Sequence, residues 1–365
     1  MKLSATLSSY LGRQYMYWLF GVFLCFMAIA LLFDFVEMMR RAANKENATV
    51  GIVLQMSLFK LPHLLQTTLP FMVLFAGMFS FWRMARANEA VVSRAAGISA
   101  WQFILPAFLI TALVGFAQIT VINPFAAAML AKFEKLEADY LKGRTSMLAV
   151  SRNGLWLRQS NDDQGYSVIH ALRVAQDKMD LRDVIIFRFS QKEEFIERID
   201  SESTMLRDGY WLIRSGWQST PTEGTKAVKD LKIKTDLTQN RILDSFAPPE
   251  TMSFWDLPAF IRVLETAGFS AHRHRLHFHA LMAYPLLLSS MILIAAAFTL
   301  RINRRTRATI TLLGGLLCSF VLYFLTDVVH ALGLSASIPI PLAAWTPAGV
   351  STLVGLAILF HLEDG

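Results

Sequence analysis

The segment "FDFVEMMRRAANK" carries two adjacent arginines, Arg40 and Arg41, soon after residues 15–33, which hold no charge. A guanidinium presents a planar fork of N–H donors that can grip a phosphate through two hydrogen bonds at once. An arginine pair at the edge of an apolar run is therefore chemistry suited to an anionic headgroup. A second set of bases, Lys132 and Lys135, follows the uncharged run 98–131, and Lys142 and Arg144 continue it. If both runs are helices, the two sets reach a similar depth and can surround one mouth. Arg40, Arg41, Lys132 and Lys135 then form a candidate lipid-phosphate site. Two plainer readings stand beside it. Glu37 lies three and four residues from Arg40 and Arg41, the spacing of ordinary helical ion pairs. Long basic side chains also snorkel to any headgroup, and Glu134, Glu137 and Asp139 could neutralise the second set.

Groups able to make or break bonds are scarce. "HRHRLHFH" places His272, His274, His277 and His279 within eight residues. On a helix His274 and His277 share a face while His277 and His279 point apart, and neither a cysteine nor a carboxylate sits within the cluster. These residues read as interfacial histidines at the start of a span; an intramembrane metalloenzyme is the minor alternative. Asp327 and His330 are the best polar pair inside apolar sequence and could line a cavity or cap a helix junction. No Gly-x-x-x-x-Gly-Lys-Ser/Thr loop occurs anywhere in the chain. The chain is expected not to be an enzyme, to bind no metal or cofactor of its own, and to leave any ATP to a partner.

That partner would need a place to dock. "RMARANEAVVSRAAGISAWQF" spaces Arg83, Arg86, Glu89 and Arg94 to expose charge on one face of a short helix, about 83–97, with Ala85, Val91, Val92 and Ala95 behind. Such a helix lying along the membrane is what a transporter offers to an ATPase beneath it, with Arg86, Glu89 and Arg94 as coupling residues. A surface helix held by positive-inside electrostatics is the plainer reading.

The elements that must position these groups follow from hydropathy. Of 365 residues 54% are hydrophobic, the mean hydropathy is +0.41, and a membrane protein is the first reading. Six runs lack Lys, Arg, Asp and Glu: 15–33, 61–82, 98–131, 276–300, 308–326 and 328–362. A bilayer core needs about 20 such residues as helix, so six spans are expected. The third and sixth runs exceed that length and contain proline, so part of each should lie outside the core. The first run lacks a small-residue cleavage site and is expected to remain as an anchor. Cys25 and Cys318 both fall within expected spans, which argues against a disulfide. The formal +7 charge suggests anionic partners, for which phospholipid headgroups alone would suffice.

Between the third and fourth spans the pattern changes. "GLWLRQS", "YSVIHALRV", "DVIIFRFS", "STMLRDGYWLIRSGW" and "DLKIKTDL" alternate in hydropathy and are bounded by turn residues, with Asp208-Gly209 the clearest hairpin signal. An all-β sandwich or jelly-roll-like domain is expected within 132–272. It is flanked by helices, one beginning near Ser253, and separates a first membrane part, 1–131, from a second, 273–365. Short loops on one side of the membrane hold nine Lys and Arg, against four on the other. This places both termini in the cytoplasm and the β domain outside.

The whole chain resembles a known family. An N-terminal "YLGRQYMYWL" leads into "FDFVEMMRR", and "RANEAVVSRAAGIS" joins spans two and three. A β domain follows span three, and the last three spans end in a P-x-A-x-W-x-P stretch and a final helix. These features are similar to the LptF/LptG-type permeases of lipopolysaccharide export in the Gram-negative inner membrane. The resemblance implies an ABC-transporter permease that pairs with an LptF-like partner, with an LptB-like ATPase dimer docked on the inner helix at Glu89. It further implies extraction of lipopolysaccharide from the outer leaflet and transfer to an LptC-like membrane-anchored bridge protein. It implies basic residues at the outer end of span one that hold lipid phosphates, the place of Arg40 and Arg41; some members carry lysine where this chain has Asp34. No nucleic-acid partner is implied. A permease of another lipid or lipoprotein exporter is the alternative, for which a different span count and domain order would be expected.

Overall fold

The computed structural model describes residues 5–43, 45, 48–95, 97–142, 147–151, 154–161, 165–175, 180–190, 194–221, 224–235, 247–299 and 308–363. Its helices are α1 (Ala5–Ala42), α2 (Val50–Arg86), α3 (Glu89–Ala95), α4 (Ala100–Ala117), α5 (Asn123–Glu137), α6 (Leu257–Thr266), α7 (His272–Thr299), α8 (Ala308–Leu334) and α9 (Ile340–Glu363). Six helical segments are long and apolar enough to cross a membrane: α1, α2, the continuous stretch Ala100–Leu141, α7, most of α8 and α9. Two compact units result, one of Met1–Leu141 with Arg275–Gly365, the other of Lys142–His274. Arg144, the "NDDQG" turn after Asn161, Lys2 and the arginines at 301, 304, 305 and 307 lie outside the described residues.

Local chemistry sets the helix limits. Thr49 Oγ1 accepts the Ile52 N–H at 3.5 Å to start α2, and a reciprocal capping box between Ser99 and Gln102 starts α4. The third span is one rod through both of its prolines. A wide turn at Gln118–Ile122 ends with the Asn123 N–H bonded to the Gln118 carbonyl, directly before Pro124, and the helix resumes past the missing donor. The fifth span runs seven residues past Asp327, because the chain breaks only at 335–339; the last span therefore starts at Ile340.

Without a hydrophobic drive between lipid-solvated helices, small residues decide how closely they pack. A Cβ on Gly115 of α4 would stand 2.7 Å from Pro285 Cα of α7, and one on Gly77 of α2 would stand 2.8 Å from Ala295 Cβ. These approaches make α7 the hub of the membrane unit, with 72% of its apolar window buried against 17% for α1 and for α8. Tyr15 of α1 is fully buried, and its hydroxyl shares a 2.8 Å hydrogen bond with Thr111 of α4.

The second unit is a seven-stranded antiparallel sheet: β1 (Met147–Ser151), β2 (Gly154–Asn161), β3 (Gly165–Ala175), β4 (Asp180–Phe189), β5 (Phe195–Arg207), β6 (Tyr210–Thr220) and β7 (Gly224–Lys234). The Asp208-Gly209 hairpin forms as expected, with Arg207 paired to Tyr210 and Gly209 at φ 83°. The strands pair in sequential order, so the described sheet is a meander and lacks the crossovers of a jelly roll. One face is dry. Leu157, Ile169, Ile186 and Ile199 face one another across four strands and are all buried. The sheet is also curled. In a flat sheet β2 and β6 would lie about 19 Å apart, yet the Trp211 Nε1–H of β6 donates to Gln159 Oε1 of β2 at 3.1 Å. Thr235, after β7, donates to the same oxygen at 2.7 Å. The two-layer interior expected of a sandwich is thus made by one sheet bending onto itself.

The short helix expected near Ser253 is α6, from Leu257. The Ser253 hydroxyl accepts the Asp256 N–H at 3.2 Å just before it.

Candidate functional site

The candidate site is built where the end of α1, the start of α2 and the end of α5 meet. Met38, Ala42, Val53, Met56, Leu130 and Phe133 form a small buried cluster there, and the charged residues stand around it. Three of the four expected phosphate ligands are tied in by side-chain contacts. Arg40 donates through Nε and Nη2 to the two oxygens of Glu37, at 2.9 Å each, and the Arg41 Nε donates to Glu37 Oε1 at 2.8 Å. Arg41 also reaches across to α5, its Nη1 lying 3.6 Å from the nearly buried Glu137. Lys132 of α5 sits over the Phe59 ring of α2 at 5.7 Å. Lys135 is exposed in the last turn of α5.

The arginines pair within the helix, and Arg41 also reaches α5. Pairing does not exhaust them. Each guanidinium carries five N–H donors, and the side chains of Arg40 and Arg41 remain 75% and 48% exposed.

Lys60 is a site residue that no sequence motif marked: its Nζ donates to Asp34 Oδ1 at 2.6 Å and also lies 5.4 Å from the centre of the Phe133 ring. The Asp34 side chain is only 5% exposed. The pair joins α1 to α2, and the ring contact joins both to α5. Phe59 and Lys60 on α2 thus meet Lys132 and Phe133 on α5 in reciprocal cation–ring contacts. Asp34 lies eight residues before Ala42 and Lys60 ten after Val50, near-mirror positions on an antiparallel helix pair.

The expected coupling residues divide between two helices. The helix expected over about 83–97 is confined to α3; Arg83 and Arg86 belong to the last turn of α2, and Ala87 and Asn88 intervene, with Asn88 at φ 59°. The Arg86 guanidinium lies 5.5 Å from the centre of the Trp82 ring. Arg94 is on α3. Glu89, the first residue of α3, turns back toward α1: its Oε1 accepts a 3.0 Å hydrogen bond from the Tyr10 hydroxyl.

Among the described residues no three His, Cys, Asp or Glu side chains cluster as metal ligands. His274 packs as a structural residue, its Nε2 3.2 Å from the Ala247 carbonyl and its ring against Phe260. Asp327 and His330 lie on α8, Asp327 exposed and His330 half-buried.

Six apolar spans with a β domain inserted between the third and fourth make this a helical membrane protein with an inserted β domain. The chain belongs to the lipopolysaccharide export system permease LptF/LptG family, whose model matches residues 9–361. It is similar to the lipopolysaccharide export system permease protein LptG of Escherichia coli strain K12, 21% identical over 97% of this chain and 98% of that protein. The protein of the same name from Escherichia coli O6:H1 is equally similar. Both relatives bear the LptG name. The molecule is a multi-pass inner-membrane protein and a permease subunit of a lipopolysaccharide export ABC transporter.

Proposed function

We propose that this subunit pairs with an LptF-like permease to enclose a cavity open to the outer leaflet, and that the rim formed by Arg40, Arg41, Lys132 and Lys135 holds the phosphates of lipopolysaccharide there. An LptB-like ATPase dimer docks at α3, with Glu89 at the contact and Arg86 and Arg94 flanking it. The termini face the cytoplasm and the β domain faces the periplasm, where it receives the lipid on its way to an LptC-like bridge protein. ATP stays with the partner.

The observation that carries this reading is the meeting of two basic sets from distant parts of the sequence around one apolar cluster, tied by Arg41 and Glu137. Exposed guanidiniums at an interface bind phosphate reversibly, because they are only partly desolvated. The acyl chains explain the need for ATP: burying a CH₂ is worth about 0.8 kcal/mol, so a twelve-carbon chain resists extraction by about 10 kcal/mol.

Replacing Arg40→Glu and Arg41→Glu together should cut photocrosslinking of lipopolysaccharide to the rim by about tenfold or more, the loss of one or two charged hydrogen bonds. Capture of the ATPase and the second permease should be unchanged. Crosslinking and transport at wild-type levels in that double variant would remove the rim assignment.

A further inference from the structure

The Tyr10–Glu89 hydrogen bond has no place in lipid binding, and it occupies the carboxylate that the docking helix would offer to a partner. Glu89 is used asymmetrically: Oε1 accepts from Tyr10, while Oε2 is buried without a hydrogen-bond partner among the described residues. A carboxylate oxygen held in that state is unfavourable until a donor reaches it. The same side chain thus has one end on α1 and one end open to completion.

The surrounding backbone isolates α3 as a unit. It has seven residues, with Asn88 at φ 59° before it and Gly97 at φ 80° after it. Those left-handed positions break the helical ladder toward α2 and α4. Tyr10 to Glu89 is a hydrogen bond that ties α3 to α1. On its other side α1 is 38 residues without proline, ending in Arg40 and Arg41.

We propose that Tyr10 is a positioning residue for energy coupling: it holds Glu89 toward α1 and passes displacement of α3 into the helix that ends at the lipid rim. The inference rests on the reading of α3 as the ATPase docking helix. Removing the hydroxyl should leave docking and ATP hydrolysis in place and loosen their connection to lipid movement.

The test uses the full complex with its ATPase and partner permease in proteoliposomes, measuring lipopolysaccharide released per ATP hydrolysed. Tyr10→Phe keeps the ring and should still capture the ATPase, while release per ATP falls about tenfold or more, the range of one hydrogen bond to a charged acceptor. Glu89→Gln keeps an acceptor but lacks the charge-assisted part of the bond, so in that background the same Tyr10→Phe change should cost only about two- to threefold. Equal losses in both backgrounds, or an unchanged ratio in Tyr10→Phe alone, would overturn the latch and leave the docking site standing. Loss of ATPase capture in Tyr10→Phe would also overturn it, by making Tyr10 part of the docking surface. Failure of the wild-type chain to capture any ATPase would instead sink the docking assignment, and the latch with it.

Discussion

Asp34 and Lys60 meet at membrane depth, where an isolated charge is expensive and a matched pair is tolerated. The sequence shows both residues, yet the pairing depends on the phase of the turn between α1 and α2, which no local pattern fixes. Arg40 and Arg41 are legible for the opposite reason, because two bases after an uncharged run stand out without any partner. The buried pair makes a measurable asymmetry. Lys60→Met leaves Asp34 uncompensated and should cost roughly 3 kcal/mol of stability, seen as a lower melting temperature of the detergent-purified subunit. Adding Asp34→Leu removes the stranded charge and should restore most of the loss. A double variant as unstable as the single one would show that the pair is not what holds α1 to α2.

At the scale of elements, the charge-free runs located all six spans, because bilayer thickness demands length and leaves few other solutions. Strands β2–β7 were legible from alternation and from Asp208-Gly209, whereas the short β1 was not. The curl of the sheet was not, since it depends on Gln159, Trp211 and Thr235 meeting across four strands. Nor was the passage through Pro124, which needs the wide turn at Gln118–Ile122. Close helix approaches were likewise hidden, because a glycine in an apolar run is unremarkable until its neighbour is known. Gly115 gives the sharpest case. Gly115→Val places a side chain against the backbone of Pro285 and should destabilise the membrane unit by about 1–3 kcal/mol, with a lower thermal midpoint. Gly21, which has nothing within 4 Å of an added Cβ, should accept alanine without loss. Equal effects at the two positions would contradict the α4–α7 contact.

On the scale of the whole molecule, α1 and α8 are the spans least covered by the chain itself. Their apolar faces suit lipid or a partner subunit, so stability measured on the isolated chain will understate that of the assembly. Orientation is the property on which the lipid-binding proposal depends. A cysteine introduced at Ala43 should react with a membrane-impermeant maleimide added from the periplasmic side of intact cells. Labelling only after access from the cytosol would place the rim on the wrong face for an outer-leaflet lipid.

The unbroken α1 also has a mechanical meaning. Tyr15, bonded to Thr111, is five residues from Tyr10 and twenty-five from Arg40. At 1.5 Å per residue, these are lever arms of about 7.5 and 37.5 Å around one fulcrum. A tilt that shifts Tyr10 by about 0.5 Å would sweep the arginines by about 2.5 Å, enough to part a hydrogen bond. If α3 docks the ATPase as proposed, a stiff rod pivoted near one end would turn a small push at Tyr10 into a larger displacement of the two arginines.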